Sequence, residues 1–254
     1  MALTVAGCSG ARTAPSTLTV FGAASLSDAL ADLAAAWQTE HPGSALLTSS
    51  GSSAALRAQI EQGAPADVFM SADSANPQTL VDAGLARGPL TEFASNSLVV
   101  IVPADNPAAI QSARDLARPG LCIVAAGDNV PITEYAEQVV ANLAASPDYG
   151  TDFGAGYEAN VCSREDNVAA VVSKIELGEG DAAIVYASDA SLDARLRTIA
   201  IPGAANVVAT YGAVALASSA SGAGAGDSAD EFLAWLLSDE AQRILAAHGF
   251  GGAP

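Results

Sequence analysis

Serine residues stand directly before two predicted helices, where hydroxyl groups and the unpaired N–H groups of a helix N-terminus can act together. Ser52 and Ser53 follow a predicted strand at residues 45–48 and precede a helix whose apolar residues lie four positions apart. Ser25 stands between a predicted strand at residues 17–22 and the next helix. A serine at such a position caps its helix, or it joins the N–H groups in binding an anion. Both interpretations fit each serine alone, and the repeated arrangement favours the anion.

Strands and helices alternate in two blocks, with turns rich in Ser, Gly, Asn and Asp between them. This alternation is typical of a mainly parallel sheet flanked by helices, so we predict an α/β protein of two lobes with a cleft between them. Residues 218–228, rich in Gly, Ser and Ala, are predicted as a mobile loop. The predicted divisions are 17–96 for the first part of lobe 1, 97–216 for lobe 2 with hinge strands at both ends, and 217–254 for a linker and a C-terminal helix that returns to lobe 1.

Three positions of the second block are placed like the serines of the first. Ile132 and Val168 stand at the starts of predicted helices, and Tyr186 ends a buried strand. Ligand sites of parallel sheets lie at the carboxyl ends of the strands, so we expect all three to face Ser25 and Ser53 across the cleft. Hydroxyl and N–H groups suit a small tetrahedral oxyanion, which presents acceptor oxygens and no donors when fully ionised. The helix N-termini supply positive potential without Lys or Arg.

The charge of the chain excludes some classes of partner. Its 254 residues include 28 acidic and 10 basic ones, a formal charge of −18, which disfavours nucleic acid and anionic membrane surfaces. It does not disfavour an anion held by hydroxyl and backbone N–H groups. Neither His41 nor His248 lies near the serine turns, and no Gly-x-Ser-x-Gly motif or Walker loop occurs. We therefore expect a binding protein without a cofactor, and not an enzyme.

The cysteines occur in two contexts. The segment 5–9, Val-Ala-Gly-Cys-Ser, resembles the lipobox of bacterial lipoprotein precursors, a family in which the cysteine, here Cys8, is lipidated. Residues 1–16 are then a leader remnant and linker, and we expect the leader to be incomplete because residues 1–4 hold no Lys or Arg. Cys122 and Cys162 fit either one disulfide in an oxidising compartment or two buried free thiols. No apolar run approaches the length that spans a bilayer, so membrane attachment is expected only through the lipid.

Longer segments resemble the periplasmic molybdate-binding proteins of ABC transporters, over about residues 17–250. The most specific are Gly63-Ala64-Pro65-Ala66-Asp67 and the strand end Ile184-Val185-Tyr186. The other matching segments are 21–26, 52–62, 96–100, 130–131, 165–168, 176–183 and 188–190. The resemblance implies the two-lobed type II fold of periplasmic binding proteins, with the ligand in the cleft between the lobes.

The resemblance also implies the ligand, molybdate or tungstate, and the groups that bind it. These are expected to be three hydroxyls and two backbone N–H groups, from Ser25, Ser53, Tyr186, Ile132 and Val168. A neighbour of Ile132 is an alternative donor, because Glu134 nearby would repel an anion, and Asn167 is an alternative to Val168. The oxyanion is the only metal species expected.

The same resemblance implies a location and a partner. We expect a monomer outside the cytoplasm, anchored to the cell membrane by lipid, that delivers its ion to a membrane permease. Another tetrahedral oxyanion, such as sulfate or thiosulfate, is the alternative ligand, since sulfate differs mainly in size.

Overall fold

The structure is a computed structural model that describes residues 17–190, 193–217 and 225–254. Its strands are β1 (Thr17–Ala23), β2 (Ala45–Gly51), β3 (Val68–Ser71), β4 (Thr91–Pro103), β5 (Ile123–Ala126), β6 (Val161–Glu165), β7 (Ala183–Tyr186), β8 (Leu196–Ala200) and β9 (Val208–Ala215). Its helices are α1 (Ser27–Glu40), α2 (Ser53–Glu61), α3 (Ala75–Asp82), α4 (Pro131–Ala145), α5 (Phe153–Asn160), α6 (Val168–Glu176), α7 (Ala187–Ala190), α8 (Ala225–Trp235) and α9 (Asp239–Ala247). Cys8 and most of the predicted loop at 218–228 lie outside the described residues.

The first lobe is built on the parallel strands β2, β1 and β3, in that order. β1 pairs with β2 in register along its whole length, from Thr17 opposite Ala45 to Ala23 opposite Gly51. Because the two strands are parallel, their carboxyl ends meet at one edge of the sheet. The turns that follow β1 and β2, which carry the predicted serine ligands, are therefore adjacent in space.

Asp67, the last residue of the Gly-Ala-Pro-Ala-Asp segment, attaches β3 to β1. Its backbone N–H donates to the Thr19 carbonyl at 2.8 Å, and its Oδ2 accepts the Thr19 N–H at 2.7 Å. Asp67 is 1% exposed, so these bonds lie in the interior, where unpaired backbone groups are costly. The segment therefore has a structural role, because it extends the pairing of β1 and β3 beyond the end of β3.

Strand β4 connects the lobes. Residues 91–97 pair antiparallel with β9, and residues 98–103 pair antiparallel with β7 and β8. β9 in turn pairs antiparallel with β3, and in the second lobe β5 and β6 are parallel. The prediction of a two-lobed α/β fold is confirmed, and the long strands β4 and β9 run antiparallel within sheets whose other strands are largely parallel.

Several elements differ from their sequence predictions. Helix α5 has no predicted counterpart because Gly154 and Gly156 lower its helix propensity. A Cβ at residue 156 would lie 2.9 Å from the Ala117 carbonyl oxygen, so only glycine allows α5 this close approach. β6 runs to Glu165, and its residues alternate between partly buried and exposed positions.

The C-terminal segment forms two helices where one is predicted. The break falls at Ser238, whose extended backbone and side-chain bond to the Ala241 N–H begin α9. α8 starts at Ala225, within the predicted loop. The ring of Trp37 in α1 contacts Phe232 and Trp235 of α8 edge-on, at centroid distances of 5.2 and 5.4 Å.

A disulfide joins Cys122 to Cys162, with Cα atoms 5.2 Å apart. It links the residue before β5 to strand β6, two parallel neighbours in the second lobe. Within the described ranges, no helix is both long and apolar enough to cross a membrane.

Candidate functional site

The five residues predicted as ligands line one small cavity between the lobes. It lies where β1, β2 and β7 end and where α2, α4 and α6 begin, and its volume is about 210 Å³ including the part that is open to solvent. Ser25 and Ser53 reach it from the first lobe, and Ile132, Val168 and Tyr186 reach it from the second. The remaining wall comes from neighbours in the same turns, among them Ala24, Ser52 and Pro131, and from Ala72 after β3.

Ser25 lies in a single 3-10 turn, Ala24–Leu26, between β1 and α1. Gly22 permits this tight connection, because a side chain at residue 22 would overlap Leu30 of α1. The Ser25 hydroxyl does not cap α1, and its Oγ lies 2.9 Å from the hydroxyl oxygen of Tyr211. This placement leaves the Ser25 side chain on the wall of the cavity and not in a helix cap.

Ser53 is the first residue of α2 and is 1% exposed. Its Oγ accepts the backbone N–H of Ala72 at 3.1 Å, so its own proton remains for a ligand oxygen. Ser52 occupies the N-cap position, but its side chain makes no capping bond. The first N–H groups of α2 are thus not capped by either serine side chain.

Helices α4 and α6 begin at the cavity. Ile132 is the second residue of α4, and Val168 is the first of α6. The first N–H groups of a helix have no intrahelical acceptor, and neither of these two has a hydrogen-bond acceptor among the described residues. Asn167 caps α6, with its side chain accepting the Ala170 N–H at 3.0 Å, and it is Val168 that lies on the cavity wall.

Tyr186 ends β7 and is 1% exposed. Its hydroxyl is buried and has no hydrogen-bond partner among the described residues. A buried hydroxyl without a partner is costly, so this one marks a place where a ligand oxygen would be stabilising. Burial raises the pKa of Tyr186 well above its ordinary value, and the group therefore stays protonated and can donate.

Among the residues that the structure describes, no charged side chain lines the cavity. Arg57, the cation nearest in sequence to Ser53, is engaged by Glu61 at 2.6 Å and by Asn76 at 2.8 Å. Glu134 is exposed on α4 and is absent from the wall, so it does not place a carboxylate against the ligand. Across the described part of the chain, no three His, Cys, Asp or Glu side chains are grouped to hold a metal ion. The site therefore offers neutral donors only.

A larger opening borders Ser25 and encloses about 1000 Å³, open to solvent. Its lining includes four carboxylate residues: Asp28, Glu176, Asp189 and Asp193. Arg195, also in the lining, is paired with Glu176 at 2.9 Å and with Asp193 at 2.7 Å. Arg195 offsets part of this charge and burial raises the pKa of Asp189 to about 7, but the wall stays acidic and disfavours an oxyanion, so the small neutral cavity is the candidate site.

Two residues that are not predicted site residues, Tyr211 and Asn96, lie behind Ser25 and are not part of the cavity wall. Tyr211 is bonded to Ser25, and the Asn96 side-chain nitrogen lies 3.4 Å from the Tyr211 hydroxyl oxygen. Asn96 falls within one of the matching segments, but its contact with Tyr211 depends on the pairing of β4 with β9. No local pattern in the sequence shows that pairing.

A family comparison shows which kind of protein carries this cavity. The sequence pattern of the family described as bacterial extracellular solute-binding protein matches residues 18–251. The chain belongs to that family. It is accordingly a solute-binding protein and not an enzyme.

Individual relatives of this solute-binding protein are similar over nearly the whole chain. The molybdate-binding protein ModA of Mycobacterium tuberculosis is 33% identical over 234 residues, which are 92% of this chain and 84% of the relative. A putative ABC transporter substrate-binding lipoprotein of Bacillus subtilis, YvgL, is 29% identical over 98% of this chain and 93% of the relative. The solved periplasmic molybdate-binding protein of Azotobacter vinelandii superimposes with a TM-score of 0.76 at 25% identity, covering 92% of this chain and 98% of that one.

Proposed function

We propose that this solute-binding protein captures molybdate, and also tungstate, outside the cytoplasm and delivers the ion to the permease of an ABC transporter. The observation that carries the proposal is the small neutral cavity, above all the buried Tyr186 hydroxyl without a protein partner among the described residues. Two of the relatives named above are described as molybdate-binding proteins, which supports the same ligand.

The chemistry of the wall matches a fully ionised tetrahedral oxyanion. Molybdate presents acceptor oxygens on all sides, and the cavity offers donors: the hydroxyls of Ser25, Ser53 and Tyr186 and the N–H groups of Ile132 and Val168. Hydrogen phosphate carries a proton at neutral pH, and the described wall has no carboxylate to accept a hydrogen bond from that proton. Sulfate has the right charge but shorter bonds, so the size of the cavity has to separate it from molybdate.

Binding ties the two lobes together, because each lobe supplies part of the donor set. Closure would turn on β4 and β9, the two long strands that pair between the lobes. The closed, loaded form is then the one that a permease recognises. We further propose that the protein acts as a monomer, held to the membrane by a lipid on Cys8, with the related lipoprotein of Bacillus subtilis supporting the anchor.

Calorimetric titration of the purified protein with molybdate, tungstate and sulfate in one buffer tests the ligand. We expect tight, one-to-one binding of the first two ions and no measurable heat from sulfate. Tight sulfate binding would support the site but indicate a sulfate transporter. No heat of binding from any of the three ions would contradict the proposal. Mass spectrometry of the membrane fraction, with a Cys8→Ala variant as control, tests the anchor.

A further inference from the structure

A chain of hydrogen bonds leads from Ser25 to two buried residues of the strands between the lobes. The Tyr211 hydroxyl of β9 lies 2.9 Å from Ser25 Oγ, and Asn96 of β4 places its Nδ2 3.4 Å from the same hydroxyl oxygen. The second N–H of that amide donates to Ser188 Oγ at 2.8 Å. Tyr211 and Asn96 are 0% and 2% exposed, so protein groups surround these hydrogen bonds.

The direction of these hydrogen bonds follows from the chemistry of the Asn96 amide. An amide nitrogen only donates, so the Tyr211 oxygen accepts from Asn96. The distance alone leaves open which of the two hydroxyls donates, and the bond from Asn96 favours donation of the phenolic proton to Ser25 Oγ. When Ser25 Oγ accepts from Tyr211, the Ser25 proton is left for the cavity. In this orientation both N–H groups of the amide are used and its buried Oδ1 has no partner among the described residues, whereas an amide turned round would leave both N–H groups unpaired.

We infer that Asn96 and Tyr211 are positioning residues that hold the Ser25 hydroxyl as a donor toward the bound oxyanion. The inference rests on the proposed function and adds a reason for the choice of ion. Ser53 is set in the same way by a different group, since its Oγ accepts the Ala72 N–H. Both serines then direct their proton at the cavity, and an oxyanion that carries a proton of its own would turn that proton against these donors. The fixed direction therefore discriminates against hydrogen phosphate.

A double-mutant cycle between Tyr211→Phe and Ser25→Ala tests the inference. The phenylalanine keeps the ring, which packs edge-on against Phe93 and Phe250, and removes only the hydroxyl. We expect Tyr211→Phe to weaken molybdate binding roughly tenfold when Ser25 is present and by less than about twofold in the Ser25→Ala background. The ratio of molybdate affinity to hydrogen phosphate affinity should also fall in Tyr211→Phe, an effect that general loosening of the fold would not produce.

Tyr149→Phe is the matched control, because Tyr149 packs on Phe153 and does not line the cavity. Asn96→Leu is the second variant, with the same dependence on Ser25 expected if Tyr211→Phe does not fold. Additive effects in the cycle would overturn the inference and leave the proposed function standing. Tighter binding by Tyr211→Phe would also overturn it, because Ser25 would then have been donating to Tyr211. Failure of the unsubstituted protein to bind molybdate would overturn the proposed function and this inference together.

Discussion

Replacing Tyr186 with phenylalanine tests whether its hydroxyl contributes to ligand binding or to the stability of the fold. The substitution removes a single oxygen that is buried at the cavity and has no hydrogen-bond partner among the described residues. The ring and its edge-on contacts with Tyr135 and Tyr211, at centroid distances of 6.3 and 5.6 Å, remain. No hydrogen bond within the described protein is lost, whereas one donor to the oxyanion is.

The expected magnitudes follow from that difference. A hydrogen bond to a charged group contributes about 1.5–3 kcal/mol, so the Kd for molybdate should rise roughly 10- to 150-fold. Without ligand, the free energy of unfolding should not fall and should change by less than about 1 kcal/mol. With excess molybdate, the ligand-linked gain in the free energy of unfolding should be smaller in the variant by the same ~1.5–3 kcal/mol.

The assay combines calorimetric titration with urea unfolding in the presence and absence of molybdate. Tyr149→Phe serves as control, since it removes a phenolic hydroxyl away from the cavity and should leave the Kd unchanged. An unchanged Kd in Tyr186→Phe would refute the role of its hydroxyl. A raised Kd accompanied by an equal loss of stability without ligand would show that the residue supports the fold and not the ion.

Three further perturbations have distinct signatures. Ser53→Ala removes a donor to the ligand and also the acceptor of the buried Ala72 N–H. Calorimetry should show roughly 10- to 100-fold weaker molybdate binding, and urea unfolding should show a free energy of unfolding lower by about 1 kcal/mol. Unchanged affinity would contradict the assignment of Ser53 as a ligand. Burial raises the pKa of Asp189 to about 7, so the stability that the protonated carboxyl contributes is present at low pH and is lost as the pH rises from about 4 to 7. Urea unfolding at several pH values should show the stability of Asp189→Asn growing relative to the unsubstituted protein over that window, by up to ~4 kcal/mol. A difference that does not change with pH would refute the raised pKa. Reduction of the Cys122–Cys162 disulfide, which closes a loop with a sequence separation of 40, should lower the free energy of unfolding by about 2–4 kcal/mol in urea with reductant, and equal stability of the reduced protein would count against it.

The places of the five candidate ligands were predictable because each follows a local rule. Ser25 and Ser53 follow strands and precede helices, and parallel pairing of β1 with β2 brings such turns together. Ile132 and Val168 stand at helix starts, where N–H groups have no intrahelical acceptor. The structure assembles all five around one cavity, and their role as ligands stays a prediction.

Other features depend on contacts that local patterns do not encode. Asn96 meets Tyr211 because residues 91–97 of β4 pair with β9, a pairing between segments more than a hundred residues apart in sequence. Helix α5 is not predicted because glycine has low helix propensity, and Gly156 is there because it allows close packing on Ala117. In both cases tertiary contacts decide a feature for which the local sequence gives no signal.

Crystals grown with molybdate, measured at an X-ray wavelength where molybdenum scatters anomalously, test the central claim most directly. We predict a single anomalous peak in the small cavity, with oxyanion oxygens within hydrogen-bonding distance of Ser25 Oγ, Ser53 Oγ, the Tyr186 hydroxyl and the N–H groups of Ile132 and Val168. A peak in the acid-lined opening beside Asp28, or an ion held by charged side chains, would contradict the account.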